Sequence, residues 1–141
     1  MSARLLVPLA LALLALAAAC GDDGDEEDPR ILEVGSLAEE AVYAYAGAGP
    51  AGLYPYLAPE VRDRCAKDAF SDALAGQDTP TGFRGLKGVD FEGDEARATV
   101  ILIVRDHDEE VEWVFVPNPE GPDAQGYRWY LVDLPGLEDC G

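Results

Sequence analysis

Ala96-Arg97-Ala98-Thr99-Val100-Ile101-Leu102-Ile103-Val104-Arg105 is the stretch that decides the fold. Its residues alternate. Ala96, Ala98, Val100, Leu102 and Val104 share one face, while Arg97, Thr99, Ile101, Ile103 and Arg105 share the other, which is polar at both ends. A period of two in a run rich in branched side chains predicts a strand over 96–105. Downstream, Val111 to Val116 places Val111, Trp113 and Phe115 on one side. Gly126 to Leu134 groups Tyr127, Trp129 and Leu131, with Asp133 continuing their face. Upstream, Gly85 to Phe91 reads as a weaker strand in which Leu86, Gly88 and Asp90 share a face. The connections 92–95, 106–110 and 117–125 are polar or rich in Gly and Pro, as hairpin loops are.

Before Gly76 the period is helical. Ser36-Leu37-Ala38-Glu39 has the pattern of a capping box, opening a helix with Leu37, Ala38, Ala41, Val42, Tyr45 and Ala48 on one face. Gly47-Ala48-Gly49-Pro50 ends it. Pro59-Glu60 suits the first turn of a second helix running through Cys65, and a third segment follows from Lys67 to Ala75, with Phe70 and Leu74 inward. Helices first and consecutive antiparallel strands afterwards predict an α+β domain, with N-terminal helices packed on a meander of about four strands. Because β-strand 96–105 is apolar on both faces at its middle, the sheet needs cover on one side and curvature or pairing on the other.

This order resembles the nuclear-transport-factor-2-like superfamily, a cystatin-like α+β group. The residues that carry the likeness are Tyr54-Pro55-Tyr56-Leu57-Ala58-Pro59-Glu60 through Leu74, and the closing strand Tyr127-Arg128-Trp129-Tyr130-Leu131-Val132-Asp133-Leu134. The resemblance spans roughly residues 32–134. It implies a cone in which a curved sheet wraps a long helix and leaves a pocket at its open end. The family includes isomerases, cyclases, dehydratases and exported lipoproteins without known activity, so membership alone assigns no chemistry.

Several side chains are candidates for a site. The aromatics are mainly core, and Tyr45, Phe70, Trp113 and Trp129 are the ones expected to line a pocket. Asp133 reads in two ways. Inside an apolar pocket its pKa would rise and it would serve as a general base, with Tyr45 as the hydroxyl donor. At a strand end it would open a turn before Pro135, which is the plainer reading. Asp90 is a weaker version of the first idea. His107, the single histidine, lies in Arg105-Asp106-His107-Asp108-Glu109-Glu110 and reads as a solvated hairpin tip. That segment lacks the glycine and the terminal glutamate of a calcium loop, so no metal is expected. No nucleophile elbow and no phosphate-cradling glycine loop occurs, and no cofactor is expected.

The other end of the chain says where the domain is delivered. After Met1-Ser2-Ala3-Arg4 come fifteen residues, Leu5 to Ala19, all apolar and including Pro8, ending in Ala17-Ala18-Ala19-Cys20. The run is shorter than the roughly 20 residues that cross a bilayer and has the layout of a signal peptide over 1–19. Ala17-Ala18-Ala19-Cys20 resembles a bacterial lipobox, with Ala17 where that family usually has Leu. The resemblance implies a lipid-modified Cys20. An ordinary A-x-A cleavage site is the rival, and both cut before Cys20. Residues 20–30 then read as an acidic tether with six acids between Asp22 and Asp28, spanning at most about 35 Å. The domain proper is expected over 31–141.

Cys20, Cys65 and Cys140 are the three cysteines. In an oxidising compartment an odd count leaves one over. Lipid on Cys20 would leave Cys65 and Cys140 to form a disulfide, with free buried thiols as the alternative. Formal charge is −18 for the chain and −19 once Arg4 leaves with the signal; setting aside the six tether acids leaves −13. No basic stripe is present, so nucleic acid is disfavoured as a partner and anionic lipid would be repelled. Acyl chains would therefore provide the hold on the membrane. Taken together, the sequence predicts a lipid-anchored protein on the extracytoplasmic side of a cell membrane. It would present a non-catalytic domain for a small apolar ligand or an envelope partner. The alternatives are a small isomerase, cyclase or dehydratase, and a structural or regulatory subunit of an envelope complex.

Overall fold

Asp28 opens the first helix. In the computed structural model, which describes residues 28–124 and 126–140, its carboxylate accepts from the Arg30 amide at 3.0 Å and pairs with the Arg30 guanidinium at 2.6 Å. Pro29 takes the first helical position, where its missing N–H costs nothing. Helix α1 therefore runs Pro29–Ala48. This corrects two expectations: Ser36 lies inside the helix, and residues 28–30 belong to the domain and not to the tether. The signal peptide, Cys20 and the acids through Glu27 lie outside the described residues.

Val34, Leu37, Ala38, Ala41, Val42 and Tyr45 form the buried stripe of α1, at helical spacing. Ala48, expected on that stripe, is exposed. Gly49, at φ 71°, then turns the chain so that α2 (Pro50–Leu53) folds back on α1. The approach is tight: a Cβ on Gly52 would collide with the Ala44 carbonyl. A 3-10 turn at Tyr54–Tyr56 leads to α3 (Pro59–Arg64) and α4 (Lys67–Leu74).

Four strands follow as an antiparallel sheet in sequential order: β1 (Gly82–Glu92), β2 (Glu95–Val104), β3 (His107–Pro117) and β4 (Trp129–Asp133). The α+β arrangement of helices followed by a four-stranded meander is as the sequence predicts. Ala96, Ala98, Val100, Leu102 and Val104 are all buried on the helix side of β2, with Trp113 and Phe115 beside them on β3. Leu57 bridges to Leu131, and the Ala58 amide donates to the Leu131 carbonyl at 2.9 Å, which docks the segment before α3 on β4.

The strand boundaries differ from expectation for local reasons. Arg105 and Asp106 take φ of 49° and 69°, the two-residue turn whose twist suits a hairpin. The β2–β3 connection is therefore only these two residues, and β3 starts at His107 instead of Val111. Cations on β1 and β2 support the extension. Arg84 meets Asp108 at 3.3 Å, Lys87 meets Glu110 at 3.0 Å and Arg97 meets Glu112 at 3.2 Å. Reaching β3 from β1 carries the stems of Arg84 and Lys87 across β2, where Ile101 and Ile103 are half-buried. Those pairs are exposed, and each stabilises by about 1 kcal/mol at most.

Two register shifts, between Phe83/Gly85 and between Leu86/Gly88, put extra residues into β1. They carry Phe83, Leu86, Val89 and Phe91 to the core side, at spacings of three, three and two. The strict alternation expected for this strand does not hold, and Asp90 faces Arg97 on the exposed side.

Cys65 caps the end of α3, and Cys140 follows a short 3-10 turn at Leu137–Asp139. The two form a disulfide with Cα atoms 5.7 Å apart, which removes the free-thiol alternative. The bridge ties the C-terminus to the helical layer across a sequence separation of 75. Replacing both cysteines with serine should lower the unfolding free energy by about 3–4 kcal/mol, read by urea denaturation. A loss below about 1 kcal/mol would show that the C-terminal segment holds without the bridge.

Candidate functional site

The row of side chains on the helix side of β3 changes along its length. Phe115 and Trp113 are large and apolar, Val111 is small, and Glu109 and His107 are polar. The end of α1 stands opposite the changing part of this row. The interior is not filled there, and a cavity of about 310 Å³ remains. Tyr45, Leu102, Val104, Val111, Trp113 and Leu134 form its apolar wall, and Gln77, Asp78 and Glu109 stand at its polar edge. The volume lies at the small end of ligand-site sizes.

Two largely buried side chains that carry polar groups line this wall. Tyr45 is 3% exposed and Trp113 is 1% exposed. Among the described residues, neither the Tyr45 hydroxyl nor the Trp113 indole N–H has a hydrogen-bond partner. Burial pushes the Tyr45 phenol above its ordinary pKa, so it stays a neutral donor across the physiological range. Buried tyrosine and tryptophan usually find partners for these groups. Here the partner position is the cavity.

The edge is held in place. Asp78 is paired with Arg105 at 2.8 Å. The Gln77 amide donates to the Pro135 carbonyl at 2.8 Å. Gly136, at φ 98°, lets that segment pass: a Cβ there would run into the Gln77 side-chain amide. Glu109 lies opposite Leu102 in the β2–β3 ladder, so it stands on the cavity side.

A second cavity of about 300 Å³ lies between the first half of α1 and the approach to β4, with Leu32, Leu37, Tyr127 and Trp129 in its wall. Two of its aromatic side chains are engaged within the protein, and Ser36, Glu40 and Arg128 also stand in its wall. The Trp129 indole donates to Glu33 at 2.8 Å. Tyr127 stacks on Tyr56 at 4.9 Å, and its phenol is pushed well above its ordinary pKa by desolvation and by Tyr56.

The structure thus brings together two of the four expected pocket aromatics, Tyr45 and Trp113. Trp129 belongs to the second cavity. Phe70 lines neither; it is fully buried against Tyr54, 5.6 Å between ring centres. Asp133 is exposed, and its carboxylate accepts from the Leu134 amide at 3.0 Å. A register shift at Val132 reverses the alternation of β4, so Asp133 faces Val114 on the side of the sheet away from Tyr45. The strand-end reading of Asp133 is the one the geometry gives, and an Asp133–Tyr45 dyad is not formed. His107 is exposed at the start of β3. Among the described residues, no group of three His, Cys, Asp or Glu side chains could hold a metal ion.

Glu109, Gln77 and Leu134 are cavity residues that the sequence reading missed. For Glu109 the signal was present, because it shares parity with Val111 and Trp113. Gln77 comes from a segment without a period and carried none, and Leu134 has the opposite parity to Trp129 and Leu131 in the strand expected over 126–134 and lies past the end of β4. Comparison with protein-family models, with curated proteins and with solved structures finds no match.

A hydroxyl without a protein partner adds little to stability. Tyr45→Phe should therefore change the unfolding free energy by less than about 0.5 kcal/mol. A loss of about 1 kcal/mol or more in urea denaturation would mean that the hydroxyl is bonded within the protein.

Proposed function

We propose that this is a lipid-anchored cell-envelope protein whose domain binds a small, largely apolar ligand without transforming it. The observation that carries the binding reading is the cavity between α1 and the β2–β3 face, with the Tyr45 hydroxyl and the Trp113 N–H in its wall. Two neutral donors in an apolar space orient a ligand that carries an acceptor. Catalysis would need a poised acid or base as well. The carboxylates do not supply one enclosed with the donors: Asp78 is committed to Arg105, Asp133 lies on the far face, and Glu109 is exposed at the edge, four residues along β3 from Trp113. An isomerase, cyclase or dehydratase is the weaker reading for that reason.

The nuclear-transport-factor-2-like resemblance supports the same place. In that family the open end of the cone is where a pocket is expected, and here the cavity sits where α1 ends against the sheet. The envelope location rests on Ala17-Ala18-Ala19-Cys20 and on the charge of the chain. Among the described residues, no helix is long and apolar enough to cross a membrane. Acyl chains on Cys20 would hold a protein that anionic lipid repels.

Native mass spectrometry of the purified protein should show a small molecule at a mass above that of the polypeptide. Val111→Trp, which fills the cavity from a half-buried wall position, should abolish that adduct while leaving the protein folded. A wild-type protein that is empty, and that no neutral or cationic amphiphile stabilises against heat, would reject the binding reading. For the anchor, Cys20→Ser should move the protein out of the lipid-modified pool: a labelled fatty acid should no longer be incorporated. Labelling that persists in Cys20→Ser would place the lipid elsewhere.

A further inference from the structure

The cavity has polar groups at both of its ends, and they differ in kind. Glu109, Val111 and Trp113 occupy alternate positions of β3 on one side of the sheet. At about 3.3 Å per residue, roughly 13 Å separates the backbone at Glu109 from that at Trp113. The Trp113 end offers hydrogen-bond donors: the indole N–H and the Tyr45 hydroxyl, both on side chains more than nine-tenths buried and both without a protein partner among the described residues. The Glu109 end offers a carboxylate that accepts only. Of the two acids at the edge, Asp78 is neutralised by Arg105 at 2.8 Å. Glu109 has no ion-pair partner among the described residues, although its neighbours in sequence, Asp108 and Glu110, meet Arg84 and Lys87. Between the two ends the wall is Leu102, Val104, Val111 and Leu134.

We infer that the cavity takes an amphiphilic cation: an apolar body with a hydrogen-bond acceptor directed to Tyr45 and Trp113, and a protonated nitrogen at Glu109. The inference deepens the binding reading and rests on it. Three features select this ligand over a fatty acid or a neutral lipid fragment. The alternation of β3 turns Glu109 toward the cavity, whereas Asp108 and Glu110 point to the opposite face, where their cations are. A carboxylate-headed ligand would meet Glu109 and the negative field of a domain with formal charge −14 over residues 28–141. And the donors at the far end, open to the cavity, would pair with an acceptor, which a plain alkyl chain lacks.

Three probes with one body separate these demands: para-methoxyphenethylamine, its alcohol analogue and its carboxylate analogue, titrated calorimetrically into the full purified chain. The ether oxygen serves as the acceptor in all three. The amine should bind about fivefold tighter than the alcohol, the range of a partly exposed charge pair, and the carboxylate should be weakest. Glu109→Gln should erase the gap between amine and alcohol and leave the alcohol's affinity in place. Asp78→Asn should change the gap by less than about twofold, because that carboxylate is already paired. Tyr45→Phe should weaken amine and alcohol alike by about fivefold. Thermal melting of each variant identifies any that is unfolded, and Trp113→Phe then serves as the second test of the donor end, with the same expectation as Tyr45→Phe.

Equal binding of amine and alcohol by the wild type, or a gap that survives Glu109→Gln, would overturn the cationic assignment. If Val111→Trp still blocked the alcohol in that case, the cavity would stand as a ligand site and only the head-group inference would fall. Failure of all three probes to bind the wild type would overturn the head-group inference, and the binding reading would fall with it only if the purified protein also carried no adduct and no amphiphile stabilised it.

Discussion

The packing of one helix stripe against one strand row supports the rest of the structure. Val34, Leu37, Ala38, Ala41, Val42 and Tyr45 on α1 face a sheet surface whose central row is Ala96, Ala98, Val100, Leu102 and Val104. Full burial of each of the larger side chains stabilises by about 1.5–3 kcal/mol. Size also varies along the row. At the Ala96–Ala98 end the strand is small and the space is taken by Phe115, Trp113 and Trp129. At the Leu102–Val104 end the neighbouring β3 row turns polar and α1 stops. The cavity beside Tyr45 and Trp113 follows from that gradient, while the second cavity lies at the start of α1 against Tyr127 and Trp129.

Two contacts set the position of α1 along this surface. Arg30 lies over the Phe91 ring, 3.9 Å from its centre, and Glu33 accepts from the Trp129 indole at 2.8 Å. Both are near the start of the helix, so they set where its other end falls, with Tyr45 over Leu102 and Trp113. At the opposite end of the chain, the Cys65–Cys140 bridge holds the segment that brings Leu134 and Pro135 to the cavity edge. A site made from four separated segments depends on these ties, because none of the segments places the others.

Charge divides between the two faces of the sheet. On the outer face Arg84, Lys87 and Arg97 are spent on Asp108, Glu110 and Glu112, and Arg97 also meets Glu95 at 2.8 Å. The neighbouring glutamates hold the Arg97 guanidinium above its ordinary pKa, Glu95 most of all. In a strongly acidic protein this leaves little positive charge for the cavity side, where Glu109 stands. The same run of alternating acids thus covers apolar residues on one face and gives polarity to a pocket on the other.

The helix stripe, the β2 strand and the α+β order were legible because each is a local period long enough to read: 3.6 over α1 and two over β2. The start of α1 was not, because Asp28-Pro29-Arg30 sits at the end of an acidic run and reads as tether until the cap is seen. The inward face of Asp133 was misread because a period assumes an unbroken ladder. One extra residue at Val132 reverses it, and the shifts in β1 do the same to Asp90. Parity alone pointed to Tyr45 and Trp113, whereas their sharing of one cavity, with Trp129 in another, depends on how α1 lies across the sheet.

By itself, then, the sequence determined the order of helices and strands, the apolar faces of α1 and β2, the acidity and the cysteine count, since these depend on neighbours along the chain. Which cysteines are joined, which face each carboxylate takes after a bulge, and where the core fails to fill were decided only by the tertiary structure. Those features depend on residues tens of positions apart meeting at one place, and no local period records such a meeting.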